Sequence, residues 1–311
     1  MSILKKLNIE ELERYKKEIV CLINERNKIM SQMDACNLDN ENVKFNQLSL
    51  YLTNNEALVF GYFEEEKLVG FIGGYSRPFR DDKKRLYVSI IYVDEKFRKH
   101  QIENNLFVAI EKEAKRQGHS SVFLHVEEND KTLKLYEQMG YVKERMQLVK
   151  EINNVNLTNI GGIRFTQKEI SKYKDALAEL LFINTKAHFD CHTYTMEDAN
   201  NQIDSLMEYI IDDKAIVLGY IQDEEILGFI WIFPYSYKNE MRYMLNAISV
   251  FPEKRGQGIA KKLLCQAEVE IIKKGFKKIY TWVDYINYSA YCLYISNGMK
   301  IEAYQLCKKC N

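Results

Sequence analysis

The chain has 311 residues, of which 46% are hydrophobic and 28% charged, and its 44 Lys and Arg residues balance 44 Asp and Glu residues. This zero net charge argues against a protein that binds nucleic acid or anionic membranes through a basic surface. No run of eighteen or more apolar residues is present, and the N-terminal residues are too polar for a signal peptide, so we expect a cytoplasmic protein.

The hydrophobic pattern of the first half predicts helices and strands in a mixed α/β arrangement. A charged amphipathic helix over 9–30 comes first, and a second helix follows over 42–53. The remaining predicted elements are strands over 57–63, 67–75 and 86–93, a helix over 102–117, a strand over 122–126, a helix over 131–139 and a strand over 141–149.

The second half repeats this order of elements. Thr195, followed three residues later by Asp198, predicts the N-cap of a helix that begins at residue 196. The predicted elements are helices over 167–185 and 196–211, strands over 215–221, 225–233 and 243–250, a helix over 258–274, a strand over 278–284, a helix over 288–296 and a strand over 299–306.

The two halves also share short sequence blocks. Residues 59–72 match residues 217–230 at an offset of 158, and Tyr136 and Gly140 fall on Tyr294 and Gly298 at the same offset. Since residues 153–162 are rich in Asn and end in two glycines, they suit a linker. We therefore predict two similar domains, residues 1–152 and 163–311, joined by the linker 153–162.

The cysteines give no sign of a disulfide framework or a metal site. There are seven, an odd number, and two of them fall in predicted helices. Cys307 and Cys310 are the one suggestive pair, but a zinc site needs two more ligands, and none of suitable spacing lies near them. We expect no bound metal.

Residues 250–260 are the strongest indication of a binding site. An apolar strand runs into a turn that contains Gly256 and Gly258, and a predicted helix follows. Glycines let the backbone N–H groups of such a turn converge, and the helix dipole adds positive potential, so the segment suits a phosphate.

A second motif lies downstream, with Asn287, Ala290, Leu293, Tyr294 and Gly298 in regular spacing. Together with Arg255, Gly258 and Ala260, it resembles the signatures of the GNAT (Gcn5-related N-acetyltransferase) superfamily, although Met299 replaces the usual aromatic residue. The resemblance implies two GNAT-like domains of the α/β (α+β) class. Each would hold a mixed, mostly antiparallel sheet flanked by helices and splayed where the cofactor enters.

The resemblance also implies a set of cofactor-binding residues in the second half. Acetyl-CoA is expected as the co-substrate, with its pyrophosphate on the glycine turn and its pantetheine along the preceding strand. The residues so assigned are Ile248, Ser249, Val250, Arg255, Gly256, Gln257, Gly258, Ile259, Ala260, Lys261, Asn287, Ala290 and Tyr294. Asn287 also stands at a helix start, where it suits a cap.

Tyr294 is the first catalytic candidate. The resemblance places its hydroxyl beside the departing sulfur, where a phenol can donate a proton; a buried core tyrosine is the alternative interpretation. A general base is also needed, because amines are largely protonated at neutral pH. No acid lies within the strand 243–250, so Asp284 is our first candidate and Glu240 the second.

His188 and His192 are four residues apart, a spacing that also suits metal ligands. In the layout that the resemblance implies, this segment lies beside the acceptor cleft. We therefore interpret His188, His192 and the nearby Tyr194 as substrate-binding residues. A metal site and a plain surface loop are the alternatives.

The first half departs from the family pattern at the phosphate turn. Gln101 stands in place of Gly258 and Glu103 in place of Ala260, so the turn loses its glycine and gains a carboxylate. We predict that this half keeps the fold, binds no acetyl-CoA and uses Tyr136 structurally.

The sequence thus predicts a cytoplasmic N-acetyltransferase that moves an acetyl group to a primary amine of a small cationic molecule by direct attack. Antibiotic self-resistance is one such setting, and Asp190, Glu197 and Asp198 favour a cationic acceptor. The alternatives are a protein N-terminus or lysine as the acceptor, and a non-catalytic acyl-CoA-binding sensor or interaction module. Neither nucleic acid nor a membrane is expected as a partner.

Overall fold

A computed structural model describes residues 2–30, 38–79, 83–153, 160–188, 194–237 and 240–310. These residues form two compact units. Unit 1 holds the described residues up to Val142 together with residues 305–310, and unit 2 holds residues 143–304. Among the described helices, none has the length and apolar character needed to cross a membrane.

Unit 1 begins with helices and continues as a sheet with two further helices. Its elements are β1 (Ser2–Lys6), α1 (Ile9–Arg14), α2 (Lys16–Met30), α3 (Leu38–Thr53), β2 (Ala57–Glu64), β3 (Lys67–Pro78), β4 (Lys84–Val93), α4 (Ile102–Arg116), β5 (His119–Glu127) and α5 (Leu133–Gln138). The strands run in the order β1-β2-β3-β4-β5. Neighbours pair antiparallel up to β4, and β4 pairs parallel with β5.

One further strand ends each half of the sequence. Strand β6 is Val142–Glu151, and strand β12 is Lys300–Lys309. The other elements of unit 2 are β7 (Ile163–Arg164), α6 (Gln167–Lys172), α7 (Lys174–His188), α8 (Met196–Ile211), β8 (Ile216–Gln222), β9 (Glu225–Tyr237), β10 (Glu240–Val250), α9 (Ile259–Lys273), β11 (Lys278–Asp284) and α10 (Tyr288–Ser296). Strands β7-β8-β9-β10-β11 repeat the order seen in unit 1.

The mixed fold with mostly antiparallel sheets is confirmed, and most element positions agree within a few residues. One difference is that each unit's first predicted helix is divided in two. The breaks fall at Tyr15 and at Tyr173, which lies 158 residues later. Tyr15 packs against Phe63 with ring centroids 4.9 Å apart, and Tyr173 stacks on Phe165 at 5.7 Å. Each helix therefore breaks at a tyrosine whose side chain packs against an aromatic residue of the core.

The last strand of each half lies wholly or partly in the other half's unit: β6 except for its first residue, and β12 from Gln305 onward. Strand β6 pairs antiparallel with β11 of unit 2, from Glu151 opposite Lys278 to Arg145 opposite Asp284. The end of β12 belongs to unit 1 and follows β5, where the Cys310 N–H donates to the Ser120 carbonyl at 3.0 Å. The predicted boundaries at residues 152 and 162 differ from the boundaries of the two compact units. Sequence similarity between the halves does not indicate with which sheet a strand pairs.

Each exchanged strand carries a lysine that pairs with a helix glutamate of its unit. In unit 2, Lys150 of β6 lies 2.5 Å from the Glu268 carboxylate of α9. In unit 1, Lys308 of β12 lies 2.6 Å from the Glu111 carboxylate of α4. The two pairs are equivalent by the sequence repeat, so the same ion pair fixes the exchanged strand in both units.

Replacing Lys150 by methionine is expected to cost about 3 kcal/mol of unfolding free energy at pH 7. The Glu268 side chain is 2% exposed, and burial already raises its pKa above the ordinary 4.5, while Lys150 opposes that rise. Without the lysine the pKa rises further, so the folded state binds a proton more readily than the unfolded chain. The loss is therefore greatest above the raised pKa and shrinks as the pH falls towards 4.5.

Urea unfolding at pH 7 and pH 5 checks this expectation, with the double variant Lys150→Met/Glu268→Leu as the control. The control removes both charges and is expected to recover most of the stability. An equal loss at both pH values would contradict the assignment.

Candidate active site

Strands β10 and β11 of unit 2 separate shortly after they begin to pair. They run parallel, with Tyr243 opposite Ile279 and Met244 opposite Tyr280, and no later pair is formed. Just beyond, Leu245 lies opposite Ile232 of β9 and Ala247 opposite Trp231, so Asn246 is an extra residue in β10. Such a bulge bends its strand and increases the local twist. The result is a fork between the two strands, as the predicted splay requires.

Beyond the fork, β10 has an edge that faces away from β9 and pairs with none of the described strands. This edge contains Ile248, Ser249 and Val250, which were predicted to bind the cofactor. Unpaired backbone groups of this kind suit the amides of an extended ligand such as pantetheine. The last carbonyl of the edge, on Val250, already accepts a hydrogen bond from Nε of Arg255 at 3.1 Å. The Arg255 side chain thereby ties the glycine turn to the end of β10.

The glycine turn presents a row of backbone donors. A 3₁₀ turn over Pro252–Lys254 leads into Gly256 and Gly258, whose φ angles are +80° and +75°, and α9 begins at Ile259. Among the described residues, none provides a hydrogen-bond acceptor to the backbone N–H groups of residues 256–261. A Cβ added at either glycine would meet nothing within 4 Å, so these positions require glycine for its positive φ rather than for space.

These donors fit the pyrophosphate of coenzyme A. Six N–H groups at the positive end of a 15-residue helix form a site for an anion. The Lys261 side chain is exposed beside them, whereas the Lys262 ammonium contacts the Tyr220 hydroxyl at 3.3 Å. Of these two lysines, Lys261 is therefore the better placed to assist.

Helix α10 positions the second motif. The Asn287 side chain accepts a hydrogen bond from the Ala290 N–H at 3.0 Å and so caps the helix, as predicted. Tyr294, about two turns after Asn287, is 3% exposed. Burial raises the pKa of its phenol above the ordinary 10, and a hydrogen bond with the Thr281 side chain opposes the rise. The phenol is thus protonated at neutral pH, the form that a proton donor needs.

The two candidate bases lie in different surroundings. Asp284 ends β11 and is 9% exposed, with one carboxylate oxygen 3.2 Å from Nε of Arg145 on β6. That guanidinium favours the ionised carboxylate and opposes proton uptake. Glu240 stands at the start of β10, opposite Tyr237 of β9, where Lys278 and Arg242 hold its pKa below 4.5. Both partners therefore oppose proton uptake by the Glu240 carboxylate.

The predicted substrate-binding residues are only partly described. Helix α7 ends at His188, and His192 lies outside the described residues. Tyr194 stacks on Phe182 with centroids 6.1 Å apart, Trp231 lies against Phe233 with centroids 6.5 Å apart, and all four pack against the unit 2 core. We call these four residues the aromatic group. It includes Trp231, which lies opposite the first residue after the bulge.

The aromatic group contains a buried donor that sequence reasoning did not single out. Among the described residues, no hydrogen-bond acceptor lies within reach of Trp231 Nε1, although the atom is buried. A donor of this kind is costly unless a ligand or water supplies an acceptor. The one hint in the sequence is that Trp231 is one of two tryptophans in the chain.

The carboxylate argument for a cationic acceptor is weakened by the structure. Asp198 is the third residue of α8, and its carboxylate accepts hydrogen bonds from the Thr195 N–H and hydroxyl, both at 2.7 Å. The predicted cap is therefore confirmed. Its hydrogen bonds engage the Asp198 carboxylate, which was expected to favour a cationic acceptor. Asp190 lies outside the described residues.

Unit 1 keeps the fork but not the open turn. Its parallel pairing ends at Tyr87 opposite Phe123, the positions equivalent to Met244 and Tyr280, and Ser89 is the extra residue of β4. The 3₁₀ turn here runs over Glu95–His100, so the N–H groups at the positions equivalent to Gly256 and Gln257 lie within hydrogen-bonded turns. Gln101 then takes the left-handed conformation of Gly258, with φ +57°.

Tyr136, the equivalent of Tyr294, is 8% exposed and packs edge-on against Phe107 with centroids 5.4 Å apart. This packing supports the predicted structural role. That unit 1 binds no acetyl-CoA stays a prediction.

Gln101→Gly is expected to stabilise unit 1 by about 1 kcal/mol, because a non-glycine residue in the left-handed region carries strain of that order. The free energy of unfolding in urea measures the change. Gln117→Gly serves as the control, since Gln117 ends α4 with an ordinary φ of −88° and its replacement brings no relief. Equal effects of the two variants would show that Gln101 is unstrained.

Comparison with known proteins agrees with this architecture. The sequence model of the Acetyltransferase (GNAT) family matches two regions of the chain, residues 26–141 and 177–299. No curated protein matches the chain.

Solved structures match the chain over nearly its whole length. A GCN5-related N-acetyltransferase from Sphaerobacter thermophilus is 15% identical with a TM-score of 0.61, covering 100% of this chain and 96% of its own. A GNAT-family acetyltransferase from Colwellia psychrerythraea is 16% identical with a TM-score of 0.53, covering 99% of each chain. A tandem GNAT protein from the clavulanic acid biosynthesis pathway is 10% identical with a TM-score of 0.55, covering 100% of this chain and 99% of its own.

At such low identities these likenesses show the fold alone. The family model covers most of the chain, and it does so once in each half. The protein therefore belongs to the GNAT family of acetyltransferases, which use acetyl-CoA, and is a tandem member of that family.

Proposed function

We propose that unit 2 is the working transferase and that it acetylates a primary amine of a small cationic molecule. The observation that supports this most is the row of open N–H groups at residues 256–261, because in unit 1 a 3₁₀ turn covers the first two equivalent positions and Gln101 replaces Gly258. Acetyl-CoA supplies an acetyl thioester, whose C–S bond breaks as the amine nitrogen bonds to the acetyl carbon. Attack is direct, without an acyl-enzyme.

Each residue of the proposed site has a separate task. The amides of the glycine turn hold the pyrophosphate, and the edge of β10 aligns the pantetheine. Tyr294 donates its phenolic proton to the departing sulfur. Asp284 stays our candidate for accepting the amine proton, which requires its ion pair with Arg145 to open when the amine binds.

The acceptor is proposed from the aromatic group. Aromatic faces attract ammonium groups, and the unsatisfied Trp231 N–H offers a donor to an acceptor atom of the same molecule. A small molecule with amino and hydroxyl or carbonyl groups meets both requirements. A cationic antibiotic, inactivated by acetylation in its producer, fits this chemistry, whereas a protein N-terminus or lysine is the rival acceptor.

Calorimetry with acetyl-CoA, followed by measurement of CoA-thiol release against a panel of amines, tests the proposal. The panel contains polyamines, cationic antibiotics and peptides with a free N-terminus or lysine. One site per chain, with thiol release that depends on a small amine, is the expected result. Two sites per chain would contradict the assignment of unit 1, and release with peptides alone would move the acceptor to protein.

A further inference from the structure

Strand β6 carries a glutamine that is buried without a hydrogen-bond partner. Gln147 is 0% exposed, and among the described residues neither its amide nitrogen nor its amide oxygen has a partner. A buried donor and a buried acceptor left unsatisfied are both costly, so such groups usually serve a ligand or an ordered water. The Gln147 amide therefore marks a position where unit 2 offers a donor and an acceptor together.

Strand register places Gln147 on the face of the sheet that points away from α9. Lys150, three residues later on β6, pairs with Glu268 of α9. Because side chains alternate along a strand, Gln147 points to the opposite face. There it lies opposite Trp282 of β11, with the two Cβ atoms about 5 Å apart.

The candidate base lies on the same face. Asp284 is two residues beyond Trp282 on β11 and lies opposite Arg145, with which it forms its ion pair. Gln147 is thus a diagonal neighbour of Asp284, at a Cβ separation of about 7 Å. One acceptor molecule can therefore place its amine at Asp284 and a second polar group at Gln147.

The tryptophan of the aromatic group also lies on this face, on the other side of the fork. Tyr280, two residues before Trp282, lies opposite Met244 of β10. Met244 in turn lies opposite Phe233 of β9, and Trp231 is two residues away on the same face. The two tryptophans of the chain therefore flank the fork, and an acceptor that approaches from this face meets both sides.

Unit 1 carries the same glutamine with a partner. Gln305 of β12 comes 158 residues after Gln147, the offset of the sequence repeat. Its amide oxygen accepts a hydrogen bond from Nε2 of His125 at 3.2 Å. By register, His125 is the equivalent of Trp282, since each lies two residues beyond the last parallel pair of its strand. The unit with the open glycine turn thus keeps the glutamine and has a tryptophan in place of its partner.

We propose that Gln147 binds an amide group of the acceptor, so that the substrate of unit 2 is a primary amine that also carries a carboxamide or peptide group. An amide presents an N–H donor and a carbonyl acceptor side by side, and it pairs with the Gln147 amide through two complementary hydrogen bonds. This inference rests on the proposed function of unit 2 as the transferase. It narrows the acceptor from a molecule with hydroxyl or carbonyl groups to one with an amide.

Entry of the acceptor requires a side chain to move, because Gln147 is enclosed in the free protein. The half-buried Trp282 opposite it is the candidate for this movement. Binding to the complex with CoA is therefore followed by tryptophan fluorescence.

The test compares two amines that differ by one amide. Lysinamide and cadaverine both present primary amines, and cadaverine is lysinamide without the carboxamide. Thiol release from acetyl-CoA gives kcat and KM for each amine in the wild type, in Gln147→Met and in the control Gln305→Met. Methionine matches glutamine in length and removes the donor and the acceptor together. Thermal unfolding of the three free proteins is measured alongside.

The wild type is expected to prefer lysinamide roughly tenfold in kcat/KM, and Gln147→Met to lose that preference through a higher KM for lysinamide alone. Its fluorescence titration should show the same loss of affinity. Gln305→Met should keep the preference of the wild type. The melting temperature of Gln147→Met should equal or exceed that of the wild type, because an unpaired buried amide is replaced by an apolar side chain. Gln305→Met loses a hydrogen bond, so its melting temperature should not rise.

Three results would overturn the inference while leaving the proposed function intact. The first is a wild type that acetylates amines without preferring lysinamide to cadaverine, and the second is a preference that Gln147→Met retains. The third is a lower melting temperature in Gln147→Met, which would show that the free protein itself uses the amide. Wild-type protein that releases no thiol with any amine contradicts the proposed function, and this inference with it.

Discussion

Replacing Tyr294 with phenylalanine is expected to lower kcat by about 10²- to 10³-fold, the usual contribution of a general acid. The change removes one oxygen from a side chain that is 3% exposed, so the packing of α10 is retained. Since the phenol is not among the pyrophosphate donors, the Kd for acetyl-CoA should stay the same. Stopped-flow or steady-state thiol release, together with calorimetry, measures the two quantities separately.

The matched control is Tyr136→Phe, which removes the same atom from the equivalent tyrosine of unit 1. Tyr136 lies among aromatic side chains and is assigned no part in the reaction, so its replacement should leave kcat unchanged. Equal losses in both variants would indicate a general effect on folding. An unchanged kcat in Tyr294→Phe would remove the phenol from the mechanism.

Gly258→Glu is expected to abolish measurable acetyl-CoA binding by the whole chain. Gly258 has a φ of +75°, so any other residue there is strained by about 1 kcal/mol. The larger effect is electrostatic, because a carboxylate would stand among the N–H groups that receive the pyrophosphate. At a separation of about 4 Å and an effective dielectric constant of 20, this repulsion is about 4 kcal/mol, which weakens binding by roughly 10³-fold.

Gly275→Glu is the control for backbone strain. Gly275 follows the other end of α9, has a φ of +81° and, like Gly258, has open space around an added Cβ. The two variants therefore carry similar strain, but only Gly258→Glu places a charge at the anion site. Calorimetry should show one site in the control and none in Gly258→Glu. Residual binding of one equivalent in Gly258→Glu would show that unit 1 binds the cofactor.

The order of helices and strands was predictable because each depends on residues close together in sequence. The cap at Thr195 and Asp198 was read directly from a three-residue spacing, and the structure confirms it. The divided helices were not predicted, since the tyrosine at each break is compatible with a helix, and its aromatic partner comes from a distant segment. Local pattern holds no information about such a partner.

The site was predictable in its backbone and less so in its side chains. The glycine turn depends on two positions with positive φ, and glycine at those positions is visible in the sequence. Asp284 illustrates the limit, because the Arg145 that pairs with it comes from the exchanged strand β6.

The exchange of the last strands also fixes the order in which the chain can be completed during synthesis. Unit 1 receives residues 305–310 only after residues 143–304 have been made. At a translation rate of about 5–20 residues per second, the intervening segment takes roughly 10–30 s to synthesise. Throughout that time β5 lacks its neighbour β12, and β6 leaves the ribosome before its partner β11 has been made. The first half of this chain is therefore the last to be finished.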